Sequence, residues 1–436
     1  MAILTSKEFY KRHQNEFNKY LFKEKRNLII CNKSSSLNFE EQKNTYIEEI
    51  DIIENTLLQV EKIEDVYDLI ILSDVLEVSG NMAAILKSLD KNLAIDGKIL
   101  VTSINPIWNT PLRLLEFLNL KEKSERRSYI HLKKIGTVFE SIGYSIVSSN
   151  SRQYIPFKLF YLGNFINKIL ELTLFFLNFG IRTYIVLRKN INETGKIDYK
   201  KSIIVPAKNE EKNLEILISR IPRFGTDTEV IISCGKSTDD TLKVAKSLKS
   251  DDFSIKVIEQ SLNGKANAVW EAIEVSTGDV IAILDADISV DPERLEDFFE
   301  IIDNNKADFV NGSRLIYSME KGSMRFINNI GNRIFQFVIS VILRLPLTDS
   351  LCGTKVFKRS LYEKILYWQE TVDATDPFCD FDLLFSAAFA GEKIVEFPIH
   401  YRTRIYGKTQ INRFRDGYKL IKYLLKSFYK FNCSSP

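Results

Sequence analysis

Apolar runs alternate with stretches of helical periodicity over the second half of the chain. After the first run, Leu214, Leu217, Ile218 and Ile221 recur at spacings of three and four residues, which indicates the buried face of a helix. The pattern predicts the order β-α-β-α-β-α-β, with strands starting at Ser202 and spanning 229–233, 256–260 and 279–287, and helices ending at Ile221 and spanning 237–248 and 264–276. This order is typical of an open α/β sheet, which binds ligands beyond the carboxyl ends of its strands.

The first half of the chain repeats the alternation of strands and helices. Apolar runs predict strands over 27–31, 69–72, 98–105, 144–149 and 183–189, and we expect a parallel sheet with crossover helices. A polar, glycine-containing segment from Asn190 to Lys196 is a good linker candidate. We therefore predict a first domain over 1–189, a linker over 190–200, a second domain over 201–409 and a basic amphipathic tail over 410–436.

Composition narrows the class of protein. The 436 residues are 45% hydrophobic and 27% charged, which is typical of folded globular domains. Sixty Lys and Arg against fifty-seven Asp and Glu leave a net charge of +3, so we expect no nucleic-acid partner. The five cysteines form no CxxC pair, which argues against a zinc site or a disulfide framework. The polar N-terminal twenty residues lack a signal peptide's apolar core, so a cytoplasmic protein is expected.

Two apolar runs, 172–181 and 334–343, are too short to span a bilayer, which takes about 20 residues. They fit either buried core helices or interfacial helices. The tail favours the second reading, because the segment from Tyr401 to Phe431 has nine Lys or Arg residues and one acid, Asp416. Four lysines of the tail fall on one helix face, which suits either solvent or anionic headgroups: Lys419, Lys422, Lys426 and Lys430. We expect the aromatic residues Phe335, Phe337, Tyr423 and Phe428 to enter such an interface.

Two aspartates follow the fourth predicted strand of the second half. Asp285 and Asp287 lie at i and i+2 after an apolar run, and both side chains are expected at an exposed strand end. Paired carboxylates suit a hard divalent cation that also takes phosphate oxygens, as in the diphosphate of a nucleotide sugar. An ordinary acidic turn is the alternative interpretation of this pair.

An ordered set of sequence blocks surrounds this pair and resembles family 2 glycosyltransferases of GT-A fold, particularly the polyprenyl-phosphate mannosyl- and glucosyltransferase branch. The resemblance covers about 201–430 and implies a doubly wound mixed α/β sheet. Its blocks are 203–210, 264–269, 278–287, 311–314, 349–357, 380–402 and 404–409.

The resemblance also implies roles for individual residues. On the nucleotide-sugar side these are Pro206, Glu210, Asp239, Lys265, Asp285 and Arg314, and Asp285 with Asp287 would hold Mg²⁺ or Mn²⁺. Acceptor or phosphate contacts fall to Arg325 and Lys408, and catalytic roles to Asp382 and Arg404. A helix cap for Asp239 and a surface position for Lys265 stay open as alternatives.

The acceptor and the donor base stay open. Asp382 would act as general base for a sugar hydroxyl, whereas a phosphate acceptor is already an anion and leaves Asp380 or Asp382 to orient it. Cys234, Gly235 and Lys236 stand where the family commonly has two acids after the second strand, so both GDP-sugars and UDP-sugars are candidate donors.

The first half resembles the C-terminal part of a class I S-adenosylmethionine-dependent methyltransferase, through the strand ending at Asp74 and the final strand pair. That family binds its cofactor on a glycine-rich loop after the first strand, because only glycine lets the backbone approach the ligand closely. The first glycine of this chain is Gly80. We therefore expect a degenerate methyltransferase-like domain, a Rossmann-like sheet without S-adenosylmethionine, and keep a bifunctional methyltransferase-glycosyltransferase as the alternative.

Taken together, the sequence predicts an inverting, metal-dependent glycosyltransferase that acts on a polyprenyl-phosphate or glycan acceptor as a peripheral protein at the cytoplasmic membrane face. A nucleotidyltransferase would need a glycine-rich basic loop after the strand at Ser202, and the sequence has none there. A non-catalytic scaffold that docks partners is a further alternative, disfavoured by the joint presence of Asp285, Asp287 and Arg404.

Overall fold

A computed structural model describes most of the chain as two compact units, Met1–Ile191 with Phe431–Pro436, and Asn192–Lys430. The described residues are 13, 21, 26–32, 45–50, 60–75, 82–119, 139–140, 142–154, 166, 169–170, 179–190, 197–224, 227–316, 326–374, 376–404, 406–407 and 413–433.

The first unit contains a six-stranded sheet with the order β2-β1-β3-β4-β6-β5. Strands β1 to β4 are parallel, whereas β6 runs antiparallel to both β4 and β5. The strands are β1 (Asn27–Asn32), β2 (Thr45–Ile50), β3 (Tyr67–Ser73), β4 (Leu93–Ile104), β5 (Tyr144–Arg152) and β6 (Arg182–Lys189), with helices α1 (Met82–Ser88) and α2 (Asn109–Phe117). All five predicted strands are therefore confirmed, and β2 was missed. The expected parallel sheet holds for β1 to β4 only.

A buried polar network lies at the carboxyl ends of β3 and β4, where open parallel sheets place ligands. Arg182 pairs with Asp74 at 2.5 Å, and Thr102 donates a hydrogen bond to the same carboxylate. The ring of His13 lies within hydrogen-bond distance of Ser73 and of the Arg182 guanidinium. Within the described part of the first unit, side chains of the chain itself therefore lie at the edge where a ligand would otherwise bind.

This arrangement leads to a prediction for the first unit. We expect the full chain not to bind S-adenosylmethionine at physiological concentration, because no glycine precedes Gly80 to form a close-approach loop. Isothermal titration calorimetry on the purified protein measures this directly. Micromolar binding would contradict the prediction and restore the bifunctional alternative.

The second unit contains a seven-stranded mixed sheet with the order β13-β11-β12-β10-β7-β8-β9. The strands are β7 (Lys201–Ala207), β8 (Thr228–Cys234), β9 (Ser254–Glu259), β10 (Val280–Ile283), β11 (Phe309–Ser313), β12 (Lys355–Lys358) and β13 (Ile394–Pro398). Strand β12 is antiparallel to both of its neighbours, and the remaining pairs are parallel. The predicted order β-α-β-α-β-α-β and the mixed α/β class are confirmed for this half.

Helices flank this sheet and follow its strands. They are α3 (Glu211–Arg220), α4 (Thr241–Ser247), α5 (Lys265–Val275), α6 (Leu295–Asp303), α7 (Phe326–Leu343), α8 (Tyr362–Val372), α9 (Asp380–Phe389) and α10 (Arg413–Cys433). Ile203, Val230 and Val280 from adjacent strands pack with Leu214 of α3 and Phe298 of α6 in one buried cluster. The predicted apolar face of α3 is therefore a core face.

The two apolar or basic segments with a predicted membrane role form helices α7 and α10. Within the described residues, neither these nor any other helix is long and apolar enough to cross a membrane. The expectation that Tyr423 enters an interface was wrong, because its side chain is fully buried and bonded to Trp368 and Asp382. Phe337 is exposed as expected, and the run 172–181 lies mostly outside the described residues.

Candidate functional site

One edge of the seven-stranded sheet collects most of the predicted site residues. Parallel strands end at the same edge, so the segments after β7, β8, β10, β11 and β13 lie together. The antiparallel strand β12 begins at this edge, which adds the loop before it. These segments supply, in chain order, Glu210, Asp239, Asp285, Asp287, Arg314, Gly353 and Arg404.

Each aspartate of the D-x-D pair is held by a cation from another element. Lys265, the first residue of α5, lies 2.5 Å from Asp285, and Arg404 lies 2.9 Å from Asp287. Burial alone raises the pKa of Asp285, but Lys265 outweighs it and holds that pKa below its ordinary value. Asp285 is half-buried, whereas Asp287 is buried and its carboxylate pairs with Arg404. The expectation that both side chains are exposed was therefore wrong for Asp287.

The loop before β12 approaches this pair so closely that it has no room for a side chain. A Cβ at Gly353 would overlap the Asp285 carboxylate and would lie 2.6 Å from the Lys265 amine. The backbone of Gly353 thus forms one wall of the site, and space rather than backbone conformation requires a glycine.

Arg314, predicted to contact the nucleotide sugar, lies in a buried bidentate ion pair. Its guanidinium donates to both carboxylate oxygens of Asp349, at 2.7 and 2.9 Å, and its plane lies over the Tyr401 ring. Arg314 therefore lies at this edge of the sheet with Asp349 as its partner, and its contact with the nucleotide sugar stays a prediction.

Because both ends of this pair are buried, removing the carboxylate leaves an uncompensated charge. We expect Asp349→Ala to lower the free energy of unfolding by about 3–5 kcal/mol. The exposed pair of Arg294 and Asp297 provides a control, and Asp297→Ala should cost about 0–1 kcal/mol. Urea unfolding followed by circular dichroism measures both. Equal effects in the two variants would contradict a buried, structural pair.

The nucleoside side of the predicted site lies at the ends of β7 and β8. Burial raises the pKa of Glu210 to about 7, against a hydrogen bond from Asn213, and the charge of Asp287 adds to the increase. Asp239 accepts hydrogen bonds from the backbone and hydroxyl of Thr241 at the start of α4. This contact fits the alternative of a helix cap, and the predicted nucleoside roles of Pro206, Glu210 and Asp239 stay predictions.

Three acids on and before α9 form the acceptor side of the predicted site. Asp380 pairs with Lys355 at 2.9 Å, and Asp376 accepts backbone hydrogen bonds from the first turn of α9. Burial, together with the charges of Asp382 and Asp380, raises the pKa of Asp376 to about 8. These carboxylates are buried and engaged within the chain.

Asp382 itself is only 3% exposed. Tyr423 of α10 donates to one of its carboxylate oxygens, and Gln369 of α8 donates to the other. Burial raises the pKa of Asp382 to about 6, although both of these hydrogen bonds lower it. Its role as a general base stays a prediction, and the present geometry leaves its oxygens no open approach for an acceptor.

Sequence reasoning did not single out three residues that the structure brings to this region and misplaced a fourth. Gly353 and Lys355 lie within the quoted block 349–357, as does Asp349, but nothing in the local pattern gives their partners. Tyr423 was assigned to the wrong environment. Arg325 and Lys408 lie outside the described residues.

The carboxylates at this edge supply some, but not all, of the ligands that a hard divalent cation needs. Within the described residues, no group of three or more His, Cys, Asp or Glu side chains could hold a metal ion. Asp285 and Asp287 supply two carboxylates, and Mg²⁺ commonly binds through one or two carboxylates together with substrate phosphates and water. The residues therefore fit an ion that a phosphate ligand helps to hold.

Comparison with known proteins finds similarity over part of the second unit. Residues 202–366 match the family model described as glycosyl transferase family 2. The glycosyltransferase AglD of Haloferax volcanii is 25% identical over 236 residues, which are 52% of this chain and 37% of AglD. The dolichyl-phosphate hexose transferase of the same organism is 28% identical over 226 residues, which are 52% of this chain and 92% of that protein. The matched part thus spans about a third of AglD.

Among solved structures, glucosyl-3-phosphoglycerate synthase from Mycobacterium tuberculosis, in complex with Mn²⁺, UDP and phosphoglyceric acid, matches with a TM-score of 0.40. The identity is 18%, and the match covers 54% of this chain and 84% of that chain.

Proposed function

Since residues 202–366 form a family 2 glycosyltransferase domain of hexosyltransferase type, we propose that the chain transfers a hexose from a nucleotide sugar to polyprenyl phosphate, with inversion at the anomeric carbon. The observation that carries this proposal is the set of alternating charges at one sheet edge: Asp285 with Lys265, and Asp287 with Arg404. A GDP-sugar and a UDP-sugar are both candidate donors.

The charges at this edge suit a diphosphate leaving group. A bound Mg²⁺ or Mn²⁺ would neutralise the charge that develops on the diphosphate. Lys265 and Arg404 are cations already held beside the two carboxylates, and both are half-buried, so phosphate oxygens can exchange for part of their present contacts. The backbone of Gly353 packs against Asp285 and would form one wall of this diphosphate site.

The acceptor side favours a phosphate over a sugar hydroxyl. A hydroxyl needs a general base within hydrogen-bond reach, whereas a phosphate is an anionic nucleophile and needs none. Asp380 is paired with Lys355, and both oxygens of Asp382 accept hydrogen bonds inside the protein. This supports polyprenyl phosphate, the class of acceptor named for the dolichyl-phosphate hexose transferase. A peripheral position at the cytoplasmic face of the membrane belongs to the same proposal.

A donor screen tests the first half of this proposal. Purified protein is incubated with a panel of GDP- and UDP-hexoses and Mg²⁺ or Mn²⁺. Release of the nucleoside diphosphate, GDP or UDP, is measured with and without EDTA. We expect release from one donor class that EDTA abolishes. Release that is unaffected by EDTA would contradict the metal-dependent site, and release from none of the donors would contradict the assignment.

A further inference from the structure

Helix α10 presents an apolar stripe on its outer surface. Four large hydrocarbon or aromatic side chains along it are between 47% and 70% exposed: Tyr418, Ile421, Leu425 and Tyr429. At 100° per residue they fall within an arc of about 80°. The opposite face, with Leu420, Tyr423 and Leu424, is buried, and Tyr423 contacts Trp368 and Asp382 there.

A row of cations borders this stripe on one side. Arg415, Lys419 and Lys422 are exposed on the adjoining arc, and Lys426 and Lys430 continue the same row. Asp416 is the only acid between Arg413 and Cys433, and it is buried. The outer surface of α10 therefore combines apolar side chains with a row of five cations, of which Lys426 also pairs with Asp373 and Arg415 with Asp416.

Helix α7 carries a similar apolar stripe. Its exposed hydrophobic residues are 36% to 65% exposed and also recur at helical spacing: Ile330, Ile334, Phe337 and Val338. Both helices pack on the first turn of α9, because the ring of Phe335 lies 5.7 Å from that of Phe381, which lies 6.1 Å from that of Tyr423. The two stripes thus belong to neighbouring parts of the same unit.

We propose that the outer face of α10, supported by the exposed stripe of α7, docks on the surface of an anionic lipid bilayer. Charge complementarity selects this occupant, because the lysine row matches anionic headgroups while Tyr, Ile and Leu enter the interfacial layer. A second copy of the chain fits less well, since the cores of protein interfaces are depleted in lysine and this stripe has lysines directly beside it.

The inner face of the same helix leads to the acceptor side of the site. Tyr423 bonds Asp382, which lies two residues beyond Asp380, and Asp380 pairs with Lys355 next to the Gly353 loop. Helix α10 would therefore lie between a docked bilayer and these carboxylates, on the acceptor side of the site. This step rests on the proposed function, since a lipid-linked phosphate would reach the chain from that bilayer.

Vesicle co-sedimentation of the full chain tests the docking surface without using activity. The probes are phosphatidylcholine vesicles with and without about one third phosphatidylglycerol, at low and high salt. We expect binding to the anionic vesicles that weakens at high salt as charges are screened. Ile421→Glu with Leu425→Glu, and separately Lys419→Glu with Lys422→Glu, should each reduce binding at least tenfold.

Matched controls keep the test specific. Ile216→Glu on α3 with Leu366→Glu on α8 introduces the same two charges at exposed helical positions, and Lys243→Glu with Lys249→Glu makes the same charge reversal at exposed sites on and after α4. These variants should bind vesicles more strongly than the α10 variants at equal net charge. Equal losses in both sets, or no binding by the wild type at low salt, would overturn the proposal.

Two further readouts separate the alternatives. Light scattering after gel filtration measures self-association, and a wild-type dimer that Leu425→Glu converts to a monomer, without vesicle binding, would assign the stripe to a second copy and overturn bilayer docking. Transfer to polyprenyl phosphate is measured in parallel. Vesicle binding without any transfer would contradict the proposed function and leave the docking surface intact.

Discussion

Alanine at Asp285 or Asp287 is expected to reduce hexose transfer by about a thousandfold, which corresponds to the several kcal/mol that a bound metal ion contributes to stabilising a developing anion. Both carboxylates lie at the carboxyl edge of the sheet, beside Lys265 and Arg404. Those two cations are half-buried, so they can regain water when a carboxylate is removed, and we expect the fold to persist. Initial rates at saturating Mg²⁺ or Mn²⁺ and thermal unfolding measure the two effects.

Asp297→Ala is the matched control for these variants, because Asp297 is an exposed acid on α6 paired with Arg294. It should retain the wild-type transfer rate. Variants of Asp285 and Asp287 that remain within tenfold of the wild type, while the control behaves as expected, would contradict the assignment of the pair to the diphosphate.

Alanine at Gly353 is expected to reduce transfer at least a hundredfold with little loss of stability. The added Cβ would overlap the Asp285 carboxylate and crowd the Lys265 amine, so Asp285 must leave its present position. A displacement of about 1 Å at a reacting group is enough to cost a factor of this size. Steady-state kinetics separates the effect on turnover from the effect on donor affinity.

Gly331→Ala on α7 provides the control, because a Cβ there meets no atom within 4 Å and alanine favours a helix. Nucleotide release in the absence of lipid should be unchanged in this variant. If Gly353→Ala also leaves release unchanged, the Gly353 loop does not form a wall of the donor site.

The edge of the sheet that holds the site could be predicted from the sequence, because strand periodicity and the rule for parallel strands are both local arguments. Asp285 and Asp287 directly follow β10, and Glu210 follows β7. The ion-pair partners of the site residues, in contrast, come from segments that meet only in the folded chain. Asp349 lies 35 residues from Arg314 in sequence, and no local pattern indicates that the two meet.

Helix α10 illustrates a different limit. Its amphipathic pattern correctly predicted a helix with lysines on one face, but it did not determine which aromatic residues face the protein. Tyr423 packs inward because its hydroxyl finds Asp382 and Trp368, whereas Tyr418 and Tyr429 stay exposed. The same contact buries Asp382, which sequence reasoning offered as a general base in reach of the acceptor.

The proposed transfer to polyprenyl phosphate is tested most directly by incubating the purified chain with the donor found in the screen, a divalent metal and a short polyprenyl phosphate in detergent, followed by mass spectrometry of the organic extract. The matched acceptor is the same polyprenol without phosphate. We predict a hexosyl polyprenyl phosphate with wild-type protein, none with Asp285→Ala, and no product from the free alcohol. Hexose transfer to the alcohol at a comparable rate, or no lipid product while the donor is consumed, would contradict the proposed function.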